Sequence, residues 1–266
     1  MRSAVMRRIT AVWTVLVLLF LYIPLAFVVL NSFNTSRTFA FPPTGLTVDW
    51  WKAAAHSSGA WNALGVTAIV GLCSTAIALV LGTLAAFALQ RHRFFGRQPI
   101  SLLITMPITL PGIVTGIAMG TTFTSVLGWT LSIGTVIIAH ATFCIVVVFN
   151  NVQARLRRMG TRLEEASSDL GGRGWQTFFM VTLPGLRGAL LAGGLLAFAL
   201  SFDEIVVTNF TLGASSKTLP LWIFDNLFRP NQAPVINVVA AVLTVVAVIP
   251  VWVAQRGAGD DAATRV

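Results

Sequence analysis

Six apolar stretches dominate this chain, at residues 10–30, 62–89, 100–124, 130–151, 186–209 and 234–254. A helix needs about twenty apolar residues to cross the hydrocarbon core of a bilayer, and each stretch is long enough to do so. Backbone polar groups inside lipid must be satisfied within the segment, so such stretches fold as helices. Hydrophobic residues make up 56% of the chain, charged residues 10%, and mean hydropathy is +0.81. Those values exclude an ordinary soluble domain. The loops between the stretches leave no room for one either. The expectation is an all-α integral membrane protein with six transmembrane helices and a single transmembrane domain over 1–266.

The net charge of +9 invites a nucleic-acid reading, but its distribution argues against one. With the N-terminus inside, fourteen of the eighteen Lys and Arg residues fall in inner loops and tails, among them Arg91, Arg93, Arg97, Arg155, Arg157, Arg158 and Arg162. Only Arg37, Lys52, Lys217 and Arg229 fall outside. This is the positive-inside bias of a multi-pass protein, and it puts both termini in the cytoplasm. Arg7-Arg8 before an apolar run resembles a secretory leader, yet no small-x-small cleavage site follows, so the run reads as an uncleaved first span. Trp61, Trp129 and Trp252 fall near span ends, where amphipathic rings suit the headgroup level. Trp50 and Trp51 suggest a short interfacial helix in the first outer loop. Cys73 and Cys144 lie within spans and are expected to be core-facing thiols, without metal-ligand spacing.

A charged island at 155–184 separates the fourth and fifth stretches. Thr161-Arg162-Leu163-Glu164 reads as a T-x-x-E capping box. Met159, Leu163, Ala166 and Leu170 then recur near helical spacing, a narrow apolar stripe on a charged rod. Gly171 and Gly172 stop the helix, because glycine takes the left-handed conformation that a helix end uses. The bland alternative is an amphipathic connector. The spacing adds more: Glu165-Ala166-Ser167, Gly171 four residues after Ser167, nine residues, then Val181-Thr182-Leu183-Pro184. It resembles the EAA loop of ABC-importer permeases, which runs Glu-Ala-Ala, three residues, Gly, nine residues, Ile-x-Leu-Pro. Ser167 and Val181 are the conservative departures. The resemblance implies that this loop docks on a cytoplasmic ATPase, with Glu164, Glu165, Ala166, Gly171, Leu183 and Pro184 as the coupling residues.

Two further regions bear on movement and solute. The third stretch carries Pro107 and Pro111, expected to kink it, and a ladder of Gly112, Gly116 and Gly120, a smooth face that another helix can approach closely. Small residues at this spacing also serve static packing. The basic loop Gln90–Arg97 with Phe94 and Phe95 sets topology or touches anionic lipid. The fifth stretch contains Ser201-Phe202-Asp203-Glu204 and Thr208. Carboxylates inside an apolar helix are costly and point to function. As a continuous helix it would align Ser201, Glu204 and Thr208 on one stripe, with Asp203 turned about 100° away. The four are candidates for a substrate pathway; the alternative is that the carboxylates simply reach the outer interface. His140, within the fourth stretch, reads as a hydrogen-bonded packing residue rather than a proton relay.

No G-x4-G-K-[ST] run, Ser-His-Asp set or zinc spacing occurs in the chain. It therefore cannot hold a nucleotide by the P-loop route, and no catalytic or metal residue is assigned. Ser201–Glu204 followed by Thr218-Leu219-Pro220-Leu221-Trp222-Ile223-Phe224 resembles spermidine/putrescine-type permeases, and among them the second of the two permease subunits. The resemblance implies a type I importer (MetI-like) fold in a bacterial plasma membrane. It also implies a related permease as heterodimer partner, two ATPase subunits that bind ATP and Mg, and an extracytoplasmic solute-binding protein. A small organic cation is the expected solute. Ferric iron, thiamine and aminoethylphosphonate, carried by relatives of this architecture, are the alternatives. An ion-coupled carrier is a different class, against which the absence of a clear internal repeat argues.

Overall fold

Lipid leaves the backbone no solvent partner, and most of the described residues are helical. The computed structural model describes residues 4–38, 41–229 and 232–246. In order these form α1 (Ala4–Asn31), α2 (Asp49–Ala55), α3 (Ser58–Arg91), α4 (Arg97–Thr109), α5 (Gly112–Thr121) with a π turn at Thr122–Val126, and α6 (Ile133–Met159). There follow α7 (Arg162–Asp169), α8 (Gly174–Thr177), a second π turn at Phe178–Thr182, α9 (Leu183–Phe202), α10 (Val206–Thr211), α11 (Leu219–Asn226) and α12 (Ala233–Val246).

Among the described residues, four helices are long and apolar enough to cross a membrane: Met6–Asn31, Ser58–Arg91, Ile133–Met159 and the continuous run Gly174–Phe202. The expected third span is not one kinked helix. Leu110 is extended ahead of Pro111, as the residue before a proline prefers, and α4 meets the α5 run at 105°. Pro107, by contrast, is accommodated inside α4. Of the expected sixth span, α12 accounts for the described part; the remainder and Trp252 lie outside the described residues.

The chain divides into two compact units. The larger, Trp61–Trp222, is built on α6, whose Ala139, Cys144, Val148, Phe149, Val152 and Leu156 are buried. Glycines let its neighbours come close. A Cβ added at Gly82 of α3 would stand 3.0 Å from the Ile145 carbonyl, and one at Gly193 of α9 would stand 3.3 Å from Val148 Cα. Such close backbone approach is how helices pack where the hydrophobic effect gives no drive. The Cys144 thiol donates to the Ala197 carbonyl at 3.3 Å, whereas Cys73 faces outward, contrary to the expectation of a core position.

In the other unit, Asn34 organises the loop after α1. Its Oδ1 accepts from the Ser36 and Thr44 amides at 3.1 and 3.2 Å, and its carbonyl accepts from Trp50 Nε1 at 2.9 Å. Trp51 stacks on Phe33 with ring centroids 5.1 Å apart. The two tryptophans thus sit on the short α2, as the sequence suggests, with inward-turned ring faces fixing it to the loop.

Candidate functional site

The charged island forms an eight-residue helix, α7, though not by the expected capping box. Thr161 makes no side-chain capping bond. The Glu164 carboxylate turns instead to Arg91 at the end of α3, with Nε and Oε2 2.8 Å apart, and its Oε1 accepts from the Thr182 hydroxyl at 2.9 Å. The Arg91 N–H does not aim straight along that line, so the contact is primarily one of charge. A guanidinium is a stronger partner for a carboxylate than a backbone amide is, which explains why the box yields. Arg91 Nη2 also donates to the Gly160 carbonyl at 2.6 Å.

The far end of α7 closes as the sequence suggests. Gly171 sits at φ +84°, its N–H bonded to Ser168 O, and Gly172 N–H bonds to Ser167 O, each at 2.9 Å. Those two bonds make a Schellman cap. Ser167, one departure from the EAA pattern, bonds Thr177 at 2.9 Å and so ties α7 to α8. A Cβ at Gly172 would lie 2.6 Å from Ser167 Oγ, so this second glycine is required by space. Outward, α7 shows Leu163, Glu165, Ala166 and Leu170 to its surroundings, with Leu170 89% exposed. Leu183 is half-buried and Pro184 exposed, at the junction where the π turn passes into α9. Arg155 Nε donates to the Gly185 carbonyl at 3.0 Å, joining α6 to that same junction.

The second candidate region departs from the expected continuous helix. α9 ends at Phe202, Asp203 to Ile205 form a break, and α10 starts at Val206. The helical stripe of Ser201, Glu204 and Thr208 therefore does not form. Breaking the helix spares an apolar column two adjacent carboxylates. Glu204 Oε1 instead accepts from the Val207 amide at 2.9 Å, capping α10, and Asp203 is exposed. Ser201 and Thr208 are buried and converge on His140 of α6, whose Nδ1 lies 2.8 Å from Ser201 Oγ and Nε2 2.9 Å from Thr208 Oγ1. His140 is thus a doubly bonded packing residue that holds the two sides of the break together.

The glycine ladder of α5 runs alongside α10. A Cβ at Gly116 would stand 2.9 Å from the Phe210 ring and 3.2 Å from Val207 Cα, and one at Gly120 would run into the Phe210 carbonyl. Gly112 faces Val206 at a comfortable 3.8 Å. The two breaks, at Leu110–Pro111 and at Asp203–Ile205, therefore lie together. The sequence points to the prolines, the carboxylates and His140 as a hydrogen-bonded packing residue, but not to the partners of His140, at least 61 residues away, nor to the pairing of Arg91 with Glu164, 73 residues away.

The fold is that of a multi-pass importer permease. A bacterial ABC transporter involved in import of the acidic polysaccharide alginate superposes with a TM-score of 0.72 at 18% identity, covering 96% of this chain and 98% of that one. The MetNI methionine ABC transporter in an inward-facing conformation gives 0.59 at 17%, covering 74% and 92%. Residues 78–256 match the family described as binding-protein-dependent transport system inner membrane component, and the chain belongs to that family. It is 33% identical to the putrescine transport system permease protein PotI of Escherichia coli K12, over 87% of this chain and 85% of the relative. It is 32% identical to the spermidine/putrescine permease PotC of the same strain, over 91% and 90%. A putative 2-aminoethylphosphonate permease, PhnV of Salmonella typhimurium, is 29% identical over 88% and 86%.

Proposed function

We propose that this permease subunit carries a polyamine, putrescine or spermidine, or a similar small organic cation, into the cell. It would work beside a related permease subunit, two ATPase subunits that bind ATP and Mg, and an extracytoplasmic binding protein. The two carboxylates at the helix break, beside the broken α4–α5 pair, carry this reading. Attraction between a carboxylate and a protonated amine strengthens as the effective dielectric falls, offsetting part of the amine's desolvation in a poorly hydrated passage. Asp203 has the freer carboxylate, and Glu204 divides its own between capping α10 and the solute. Ser201 and Thr208 support the pathway by holding its wall through His140. Identity to PotI and PotC, 33% and 32% against 29% to PhnV, favours polyamines over the aminoethylphosphonate alternative, whose anionic group these carboxylates would repel.

On the other side of the membrane, the outward face of α7, with Leu163, Glu165, Ala166 and Leu170, is the surface offered to the ATPase. Both termini lie in the cytoplasm under this reading. The experiment is uptake of labelled putrescine and spermidine into proteoliposomes holding all subunits. Polyamine uptake that weakens in Asp203→Asn and Glu204→Gln supports the proposal. No polyamine uptake by the intact system discards the substrate, and unchanged uptake in both variants removes the carboxylates from the pathway.

A further inference from the structure

The docking helix is held by joints of very different stiffness. At its start stands Gly160 at φ +66°, and at its end Gly171 at φ +84° and Gly172. Glycine linkages transmit little bending force, since their backbones are the least restricted. Across this soft frame runs one hard connection. Arg91 reaches from the end of α3 to both the Gly160 carbonyl and the Glu164 carboxylate, and Glu164 passes the contact on to Thr182 in the π turn before α9. The Arg91 and Glu164 side chains are only 9% and 18% exposed. A pair this shielded resists separation, because pulling one partner away strands the other's charge.

We propose that Arg91 is a positioning residue that makes α7 move as one body with α3, so that ATPase-driven displacement of the docking helix reaches a span remote in sequence. The chain alone would carry that displacement only into α6 and α9, which flank the loop. Arg91 adds α3, the helix that packs on α6 at Gly82. Arginine suits the place, since its guanidinium donates to the Gly160 carbonyl through Nη2 while setting a permanent charge beside the carboxylate. This inference rests on α7 being the ATPase docking element.

The test uses the complete transporter in proteoliposomes and reads solute imported per ATP hydrolysed. In Arg91→Gln the ATPase stays bound and solute still stimulates hydrolysis, while solute imported per ATP falls roughly tenfold, within the range of measured coupling effects. Arg91→Lys keeps the positive charge and a donor, and restores part of the ratio that Arg91→Gln loses, a rescue that a merely space-filling contact would not give. Should Arg91→Gln fail to accumulate, Glu164→Gln keeps the Thr182 bond, removes only the charge, and lowers the same ratio. A wild-type ratio in the charge-removing variant overturns the proposal, as does a folded Arg91→Lys variant whose ratio is no better than that of Arg91→Gln. An unmodified transporter whose ATPase neither binds nor responds to solute overturns the docking reading itself, a result visible before any variant is made.

Discussion

A Cβ added at Gly171 would meet nothing within 4 Å, so space does not require a glycine there. Its constraint is conformational: at φ +84° an L-residue other than glycine is strained by about 1–2 kcal/mol, and asparagine less than most. Gly171→Val should therefore unseat the Schellman cap and abolish solute-stimulated ATPase activity while the chain still inserts. Gly171→Asn should retain a substantial part of that activity. Equal behaviour of the two variants would show that the left-handed turn is not what the position requires. Glu164 and Glu165 teach a related lesson. They are neighbours of the same chemistry, yet one carboxylate is spent inside the chain on Arg91 and Thr182 and the other is exposed. Only the outward one is available to a partner.

At the scale of elements, the decisive feature is the contact of α5 with α10. Gly120→Ala would drive a methyl group into the Phe210 carbonyl, and backbone cannot swing aside as a flexible side chain can. Overpacking of that kind costs about 1–3 kcal/mol, and the thermal midpoint in detergent should fall accordingly. Gly112→Ala, with 3.8 Å of clearance, should leave it nearly unchanged. Equal losses would mean that the ladder is not a close-packed face. The ladder was legible because small residues four apart mark one helical side, and α7 was legible because glycine has few reasons to stand where Gly171 stands. The 105° bend was legible only as a kink, since Pro111 announces an interruption but not its angle. The break at Asp203–Ile205 has no proline or glycine to announce it. It follows from where two carboxylates can be satisfied, which depends on α10 and α6. Arg91 reads locally as one more topological charge, and only the fold brings it to Glu164.

For the whole molecule, the arginine-rich loops make orientation testable. Reporter fusions after Arg158 should report the cytoplasm, and fusions after Trp51 and Lys217 the opposite side. An outside signal at 158 would place α7, the proposed docking helix, on the wrong side for an ATPase. The π turn at Phe178–Thr182 then acquires a meaning for the molecule as a whole. In it the Leu183 N–H bonds to Phe178 O, one residue further back than the α register allows. Pro184 follows at once. Its ring would strike the carbonyl four residues earlier if the stretch wound as an ordinary α-helix, so the proline keeps the wider turn in place. Each residue of an α-helix advances the spiral by about 100°. The turn thus sets the rotational phase between the loop that carries α7 and α9, as the keyed tooth of a gear fixes where two shafts engage. Pro184→Ala removes the key: the stretch can rewind, Thr182 swings away from Glu164, and α9 is driven out of step. Uptake should then drop with the amount of chain in the membrane unchanged, whereas full transport would mean that packing alone holds the phase.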